Sequence, residues 1–297
     1  MKRGGKAGVA GVAIFGCFAA IAFGAPVLIE DVELETSSPT TVWDPENFHM
    51  TPAYGFDCVG VNSDFYYSAV DDGEFDGVDD GFDDGLVLTV GSRYYHDNND
   101  VGNLTAEELQ TGPEKFGKLK VRRTDTAIPE GTTLRSLVAF KNLKRNRPLR
   151  KSVSWGSNMG SDSFTAVRDS SATPATTLTK TDRWVISSDS ATDPTDPPVI
   201  HAFYGKGRPA EKVTEFQHNL AGPESADKEC VRAQFKLKIP PRKTRYLLFF
   251  TDMTDAISNE DAIERAGKYD LKRPTGGILA GLTTRVKQRV LNWDLTG

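Results

Sequence analysis

The chain has 297 residues and a formal net charge of −5 at pH 7, from 41 acidic and 36 basic side chains. This length permits one large domain or two small ones. The acidic balance disfavours nucleic acid as a partner, because phosphate backbones attract basic surfaces.

The first 24 residues have the three parts of a secretory signal peptide. Three basic residues lie within the first six, an apolar run follows over 7–23, and small residues stand at Gly24 and Ala25. We predict cleavage between Gly24 and Ala25, which leaves a mature chain, 25–297, that is secreted or located in the cell envelope. Loss of the three basic residues would change the formal net charge from −5 to −8.

Two other interpretations of this segment stay open. A single membrane anchor needs roughly 20 apolar residues, and the uninterrupted run here is shorter and rich in glycine. Lipidation at Cys17 is the second alternative, but the apolar run continues past this cysteine. Both features favour a cleaved signal peptide.

After the leader, short runs of β-branched, aromatic and aliphatic residues alternate with turn residues. About a dozen such runs predict a mainly β fold, a large antiparallel β-sandwich in one domain over 25–297. The segment 36–52 is rich in Ser, Thr and Pro and is predicted to be a loop or linker. The remaining runs lie at 27–34, 65–70, 86–90, 118–123, 134–140, 152–155, 164–168, 183–187, 199–204 and 213–216.

Polar and apolar residues alternate strictly over 232–239, which predicts a strand with one solvated face. The run 244–250 is apolar enough to be buried on both faces. Pro240 and Pro241 separate the two runs, and we predict that together they form a hairpin.

Helical signal is confined to the C-terminal end. Ser258 can cap a short helix over 259–269. Apolar residues then recur every three or four positions from Leu279 to Trp293, which predicts a second helix face, covered by a sheet edge.

An acidic, glycine-rich segment occupies 71–85, where Asp-Gly recurs every four residues. Dense carboxylates on tight turns can supply the six to eight oxygen ligands of Ca²⁺, although the spacing matches no EF-hand. The segment is a candidate calcium site, but its spacing favours a solvated acidic hairpin loop that leads into the strand 86–90, and no other cofactor is expected. The candidate ligands are Asp72, Asp76, Asp79, Asp80, Asp83 and Asp84.

A basic segment over 141–151 contains six cations and no acid. It could bind a polyanion such as an acidic polysaccharide. The alternatives are a solvated hairpin tip or pairing with the acidic segment of the same or a neighbouring molecule. The candidate residues are Lys141, Lys144, Arg145, Arg147, Arg150 and Lys151.

Two cysteines, Cys58 and Cys230, remain in the mature chain. In an oxidising compartment a distant pair is more often a disulfide than two free thiols, so we predict that they are bonded.

No nucleophile or zinc motif occurs in the chain. His201 is the best candidate for a catalytic base, because it lies between strand-like residues and near two aspartates. Trp184 is the best candidate for an exposed tryptophan that stacks on a sugar ring.

Five short motifs carry a resemblance to a known group of sequences: 80–86, 160–162, 182–184, 196–198 and 292–294. Through them the chain resembles a group of uncharacterised exported bacterial proteins, over most of its mature length. The resemblance implies a β-sandwich and no known activity. It also implies that the aspartates of 80–85 bind turn amides rather than a metal.

These observations predict an exported, non-catalytic β-sandwich protein with a binding or structural role at the cell surface or envelope. Its expected partner is a polysaccharide or another envelope component, and no membrane span is expected in the mature chain. The alternative is a carbohydrate-active enzyme or its accessory carbohydrate-binding domain, because glycoside hydrolysis needs only two suitably spaced carboxylates. An exposed aromatic platform beside such a pair would favour this alternative.

Overall fold

The structure is a computed structural model with three antiparallel sheets. It describes residues 25–28, 34–37, 40–44, 72–75, 86–95, 101–105, 108–129, 131–158, 166–172, 178–188, 198–219, 230–253, 259–275 and 277–296. The predicted signal peptide, 1–24, lies outside the described residues.

The largest sheet has nine strands, and every neighbouring pair in it is antiparallel. Strands are numbered along the chain. In spatial order they are β1 (Ala25–Leu28), β7 (Val101–Thr105), β8 (Glu108–Phe116), β9 (Leu119–Ala127), β10 (Thr133–Asn142), β17 (Thr244–Met253), β14 (Val199–Ala202), β13 (Trp184–Ser188) and β12 (Ala166–Ser170).

The other two sheets are smaller and also antiparallel. The five-stranded sheet contains, in order, β15 (Glu215–Asn219), β16 (Cys230–Ile239), β11 (Leu149–Asn158), β5 (Val87–Val90) and β6 (Arg93–Tyr94). The three-stranded sheet contains β2 (Leu34–Ser37), β3 (Thr40–Asp44) and β4 (Asp72–Phe75). The predicted mainly β, antiparallel sandwich is therefore confirmed, with more strands than expected.

The main hydrophobic core lies between the nine-stranded and five-stranded sheets. Phe235 of β16 and Phe249 of β17 belong to it, and the ring of Trp155 on β11 stacks on Phe249 with centroids 4.3 Å apart. Alternate residues of β16 are buried, as the sequence pattern predicted. Burial of these apolar faces provides the main stabilisation of a β-sandwich.

A second core covers the opposite face of the nine-stranded sheet. Leu248 and Phe250 of β17 point into it, and Trp293 meets Phe250 edge-on at 5.3 Å. The covering segment contains α1 (Asn259–Ala266), a 3-10 helix (Gly267–Asp270) and α2 (Thr284–Lys287). With a core on each side, β17 is buried on both faces from Leu247 to Met253, while 244–246 are half-buried, so the burial predicted for 244–250 is confirmed only in its second part.

A buried carboxylate anchors this C-terminal segment to the sheet. Asp252 is fully buried and accepts hydrogen bonds from Thr132 Oγ1 at 2.6 Å and Tyr269 Oη at 3.2 Å. It also forms ion pairs with Arg265 and Lys268. Burial acts to raise the pKa of Asp252, but the charges of Lys268 and Arg265 and the hydrogen bonds outweigh this effect and hold the pKa below its usual value.

Two predictions about the connections between strands are wrong. The runs 232–239 and 244–250 are strands, but they do not form a hairpin, because β16 and β17 belong to different sheets. The connection through Pro240 and Pro241 passes from one layer to the other. Part of the predicted loop 36–52 instead forms β2 and β3, whose β-branched residues suit a paired strand.

The expected helix from Leu279 to Trp293 is reduced to the four residues of α2. Gly281 has a φ of 75°, outside the helical region, and lies three residues before the start of α2. After it, Val290 forms a parallel bridge with Tyr246 of β17. The apolar residues at helical spacing are covered as expected, but by the face of the sheet rather than by its edge.

Candidate functional site

Two connections between the sheets lie side by side at one end of the sandwich. Residues 143–148 connect β10 to β11, and residues 240–243 connect β16 to β17. The backbone N–H of Arg242 donates to Lys144 O at 3.1 Å, and that of Asn142 donates to Lys243 O at 3.0 Å. The basic segment predicted from the sequence is therefore fastened to a second basic connection.

The side chain of Asn142 holds these connections in place. It is fully buried, and its Nδ2 donates to Arg147 O at 3.0 Å and to Ile239 O at 2.9 Å. Its Oδ1 accepts from the backbone N–H of Lys144 at 2.8 Å. One amide group thus links β10, the end of β16 and two points of the 143–148 connection.

A third turn joins the same end of the molecule. The backbone N–H of Leu143 donates to Lys118 O at 2.9 Å, in the tight turn between β8 and β9. Gly117 in this turn has a φ of 65°, which favours glycine. This contact brings the exposed side chain of Lys118 to the two connections.

We call this cluster the basic end; it combines the six predicted residues with three that the sequence analysis missed. The missed residues are basic, but they lie near the predicted segment only because both connections cross between sheets, whereas the sequence analysis interpreted 240–243 as the turn of a hairpin. Lys144 and Lys151 are half-buried, and the other seven residues of the basic end are exposed. The nine residues are Lys118, Lys141, Lys144, Arg145, Arg147, Arg150, Lys151, Arg242 and Lys243.

Within the described ranges, no acidic side chain forms an ion pair with a residue of the basic end. Like charges even face each other across strands, since Arg150 is opposite Lys238 and Lys141 is opposite Lys120. Such pairs destabilise a sheet when they lie directly opposite. The fold therefore carries a local electrostatic penalty that a bound anion would relieve.

One carboxyl group, Glu211, interacts electrostatically with this end. Burial raises the pKa of Glu211, and a hydrogen bond from the backbone of Lys238 and the charge of Arg150 oppose the rise. Glu211 therefore lies close enough to Arg150 to interact with part of the positive charge of the basic end.

The predicted calcium ligands are largely outside the described residues. Asp72 is the first residue of β4, and its backbone pairs with Asp44. The other five lie outside the described part of the chain. Among the residues that are described, no group of three or more potential metal ligands occurs. The calcium site stays a prediction.

The predicted disulfide is also untested. Cys230 begins β16, but its side chain is not among those described, and Cys58 lies outside the described residues. The bond between them stays a prediction.

The candidate base His201 lies inside the sandwich. It is buried on β14, with Nε2 at 3.5 Å from Ser187 Oγ. Burial lowers the pKa of His201 to about 3, so the ring is neutral at physiological pH. A side chain enclosed in this way is not placed to take a proton from a bound substrate, so the structure gives no support for His201 as a catalytic base.

The candidate sugar platform is buried as well. Trp184 belongs to the second core, and its Nε1 donates to Asp270 Oδ1 at 3.0 Å. Trp155 and Trp293 are also buried. None of these three rings can stack on a ligand at the surface, so the prediction for Trp184 is wrong.

No protein-family model matches the sequence, and no curated protein matches it. Two solved structures show partial similarity to this chain. One is a galactose mutarotase related enzyme from Lactobacillus acidophilus, at 10% identity and a TM-score of 0.34, over 77% of this chain and 98% of that one.

The other is a protein described as a kojibiose phosphorylase, from the human microbiome, at 8% identity and a TM-score of 0.40. The match covers 68% of this chain and 26% of that one. At this level of similarity, neither structure bears on the function of this chain.

None of the helices in the described ranges is both long and apolar enough to cross a membrane.

Proposed function

We propose that this protein is an exported, non-catalytic β-sandwich protein whose basic end binds an anionic polymer, such as an acidic polysaccharide, at the cell surface or envelope. The observation that carries the proposal is the pair of basic connections fastened together by Asn142. Their cations are held close to one another without ion pairs to described acidic residues.

The chemistry of the basic end suits a polymer with regularly spaced carboxylates or sulfates. Its cations are spread over three connections rather than gathered in an enclosed cavity, so several anionic groups can be bound at once. The guanidinium groups of Arg145, Arg147 and Arg242 can form paired hydrogen bonds with carboxylates. Binding through several weak contacts gains strength from multivalency.

The proposal is tested by measuring the affinity of the full-length protein for polygalacturonate, with neutral dextran and double-stranded DNA as comparisons. We expect polygalacturonate to bind, dextran not to bind, and the affinity to fall as salt is raised, because exposed charges are screened. Binding of DNA as tight as that of polygalacturonate, or binding of neither polymer, would contradict the proposal.

A charge variant locates the interaction. Combined replacement of Lys144, Arg145 and Arg147 by alanine should weaken binding by at least about tenfold, since each exposed contact contributes roughly 0.5 kcal/mol or more. Arg285→Ala is the matched control, because Arg285 is an exposed residue of α2 outside the basic end. Equal affinities in the triple variant and the control would exclude the basic end as the site.

Export is tested separately by N-terminal sequencing of the mature protein. If residues 1–24 are a signal peptide, protein recovered from the medium or the envelope begins at Ala25. An intact N-terminus on protein found only in the cytoplasm would overturn this part of the proposal.

A further inference from the structure

A second cationic feature lies apart from the basic end. It is a cavity of about 360 Å³ between the turn that precedes β13 and the segment that follows β14. None of the nine residues of the basic end lines it. Its walls include Lys180, Arg183, Tyr204, Lys206, Lys212 and Val213.

Hydrogen bonds fix the two walls relative to each other. Tyr204 Oη donates to Lys180 O at 3.0 Å, and the backbone N–H of Phe203 donates to Arg183 O at 2.8 Å. The backbone N–H of Gly205 donates to Asn292 O at 2.9 Å, which attaches the same wall to the C-terminal segment. The cavity is therefore preformed.

The turn that carries Lys180 is held by a buried carboxylate. Asp182 accepts hydrogen bonds from Ser170 Oγ at 2.7 Å, from the backbone N–H of Ala172 at 3.0 Å and from that of Thr179 at 2.7 Å. Its oxygens are thus engaged within the fold rather than directed at a ligand. Asp182 positions the turn, and its negative charge still acts on the cavity wall, where it adds to the rise in the pKa of Tyr204.

The lining contains four cations and no acidic residue. Lys180, Lys206 and Lys212 have exposed side chains, and none forms an ion pair with a described residue. The cavity consequently has an excess of positive charge within a small volume, which raises the local concentration of anions.

Arg183 is held beside the cavity by an ion pair. Its Nη2 donates to Asp270 Oδ1 at 2.6 Å, while its Nε is buried and has no hydrogen-bond partner among the described residues. Because Nε is out of reach of solvent, the guanidinium can offer a ligand in the cavity only its other N–H groups.

We infer that this cavity binds a small ligand through an oxyanion, a phosphate, sulfate or carboxylate group, with Arg183 and the lysines as its donors. The ring of Tyr204 forms part of the cavity wall, and its hydroxyl does not act as an acid toward the ligand. Burial raises the pKa of Tyr204 to about 12, and its hydroxyl already donates to Lys180 O. The ligand is therefore bound by charge and hydrogen bonds, without proton transfer from the tyrosine.

Calorimetric titration of the full-length protein with inorganic phosphate, sulfate and acetate, at constant ionic strength, tests the inference. We expect at least one of the three to bind, and the order of their affinities to identify the oxyanion. The double variant Lys206→Ala/Lys212→Ala should bind it at least about tenfold more weakly, and Arg285→Ala should bind it unchanged. Failure of all three anions to bind, or equal binding by the double variant, would overturn the site.

A second readout follows Arg183 itself. In NMR spectra, the Nε–H resonance of Arg183, assigned by its loss in Arg183→Lys, should shift as the bound anion is added. A saturable heat of binding without this shift would place the anion elsewhere on the protein and refute the inference. Since the basic end shares no residue with the cavity, neither result depends on polymer binding.

Discussion

Replacement of Asn142 by alanine should lower the free energy of unfolding and also weaken the attachment between the two connections of the basic end. The variant loses three hydrogen bonds, two donated by Nδ2 and one accepted by Oδ1. Each such bond contributes about 1 kcal/mol net, and a buried group left unpaired costs more. Ile239 is fully buried, whereas Lys144 and Arg147 lie near solvent and can bind water instead. We therefore expect a loss of about 3 to 4 kcal/mol in the free energy of unfolding.

Urea unfolding measures this change, with Asn146→Ala as the matched control. Asn146 is an exposed residue of the same connection, so its replacement should change the free energy of unfolding by less than about 0.5 kcal/mol. If Asn142→Ala were no more destabilising than Asn146→Ala, the amide would not hold the connections together. The structural basis assigned to the basic end would then be wrong.

Three further predictions concern the core, the C-terminal segment and the acidic segment. Asp252→Asn should cost about 3 to 5 kcal/mol, because it leaves Lys268 without its buried counterion. The pKa of Asp252 is held low in the folded state, so its contribution to stability is present above about pH 4 and is lost as pH falls through the folded-state pKa. Urea unfolding across this range should show an acid-dependent loss in the parent that is smaller in the variant, and parallel curves would contradict this. Gly205→Ala should destabilise by about 1 to 3 kcal/mol, because its Cβ would clash with Trp293 Cε3, while Gly267→Ala, with nothing within 4 Å, should not. If the segment 71–85 binds calcium, the Tm should be higher in millimolar Ca²⁺ than in chelator, and equal Tm values would exclude a folding-linked site.

Strands were predictable where one physical cause determines the sequence pattern. In β16 one face packs into the main core and the other meets solvent, so apolar and polar residues alternate from Val231 to Ile239. In β17 both faces are covered, and the pattern becomes a continuous apolar run. These local rules identified the strands and the class of fold.

Pairing between strands was not predictable in the same way. Pro240 and Pro241 favour a turn in either a hairpin or a crossing, and alternation does not say which sheet a strand joins. Because we interpreted 232–250 as a hairpin, we did not predict the full basic end. Arg242 approaches Lys144 only if both connections cross between sheets at the same place. The cavity could not be predicted from the sequence either, because its cations come from two segments that meet only in the folded chain.

The net charge of the protein sets how binding at the basic end should respond to salt. The full chain carries a formal charge of −5, and the mature chain proposed above −8, so a polyanion at a distance meets net repulsion, whereas at contact it meets the cations of the basic end. At physiological ionic strength the Debye length is about 8 Å, so the distant repulsion is largely screened and the local attraction dominates. At low salt both effects grow and oppose each other. We therefore expect the association rate for polygalacturonate to rise less steeply on dilution of salt than the affinity does, in stopped-flow and equilibrium measurements. Steep acceleration of association at low salt would mean that the field of the whole molecule attracts the polymer, contrary to the charge distribution described above.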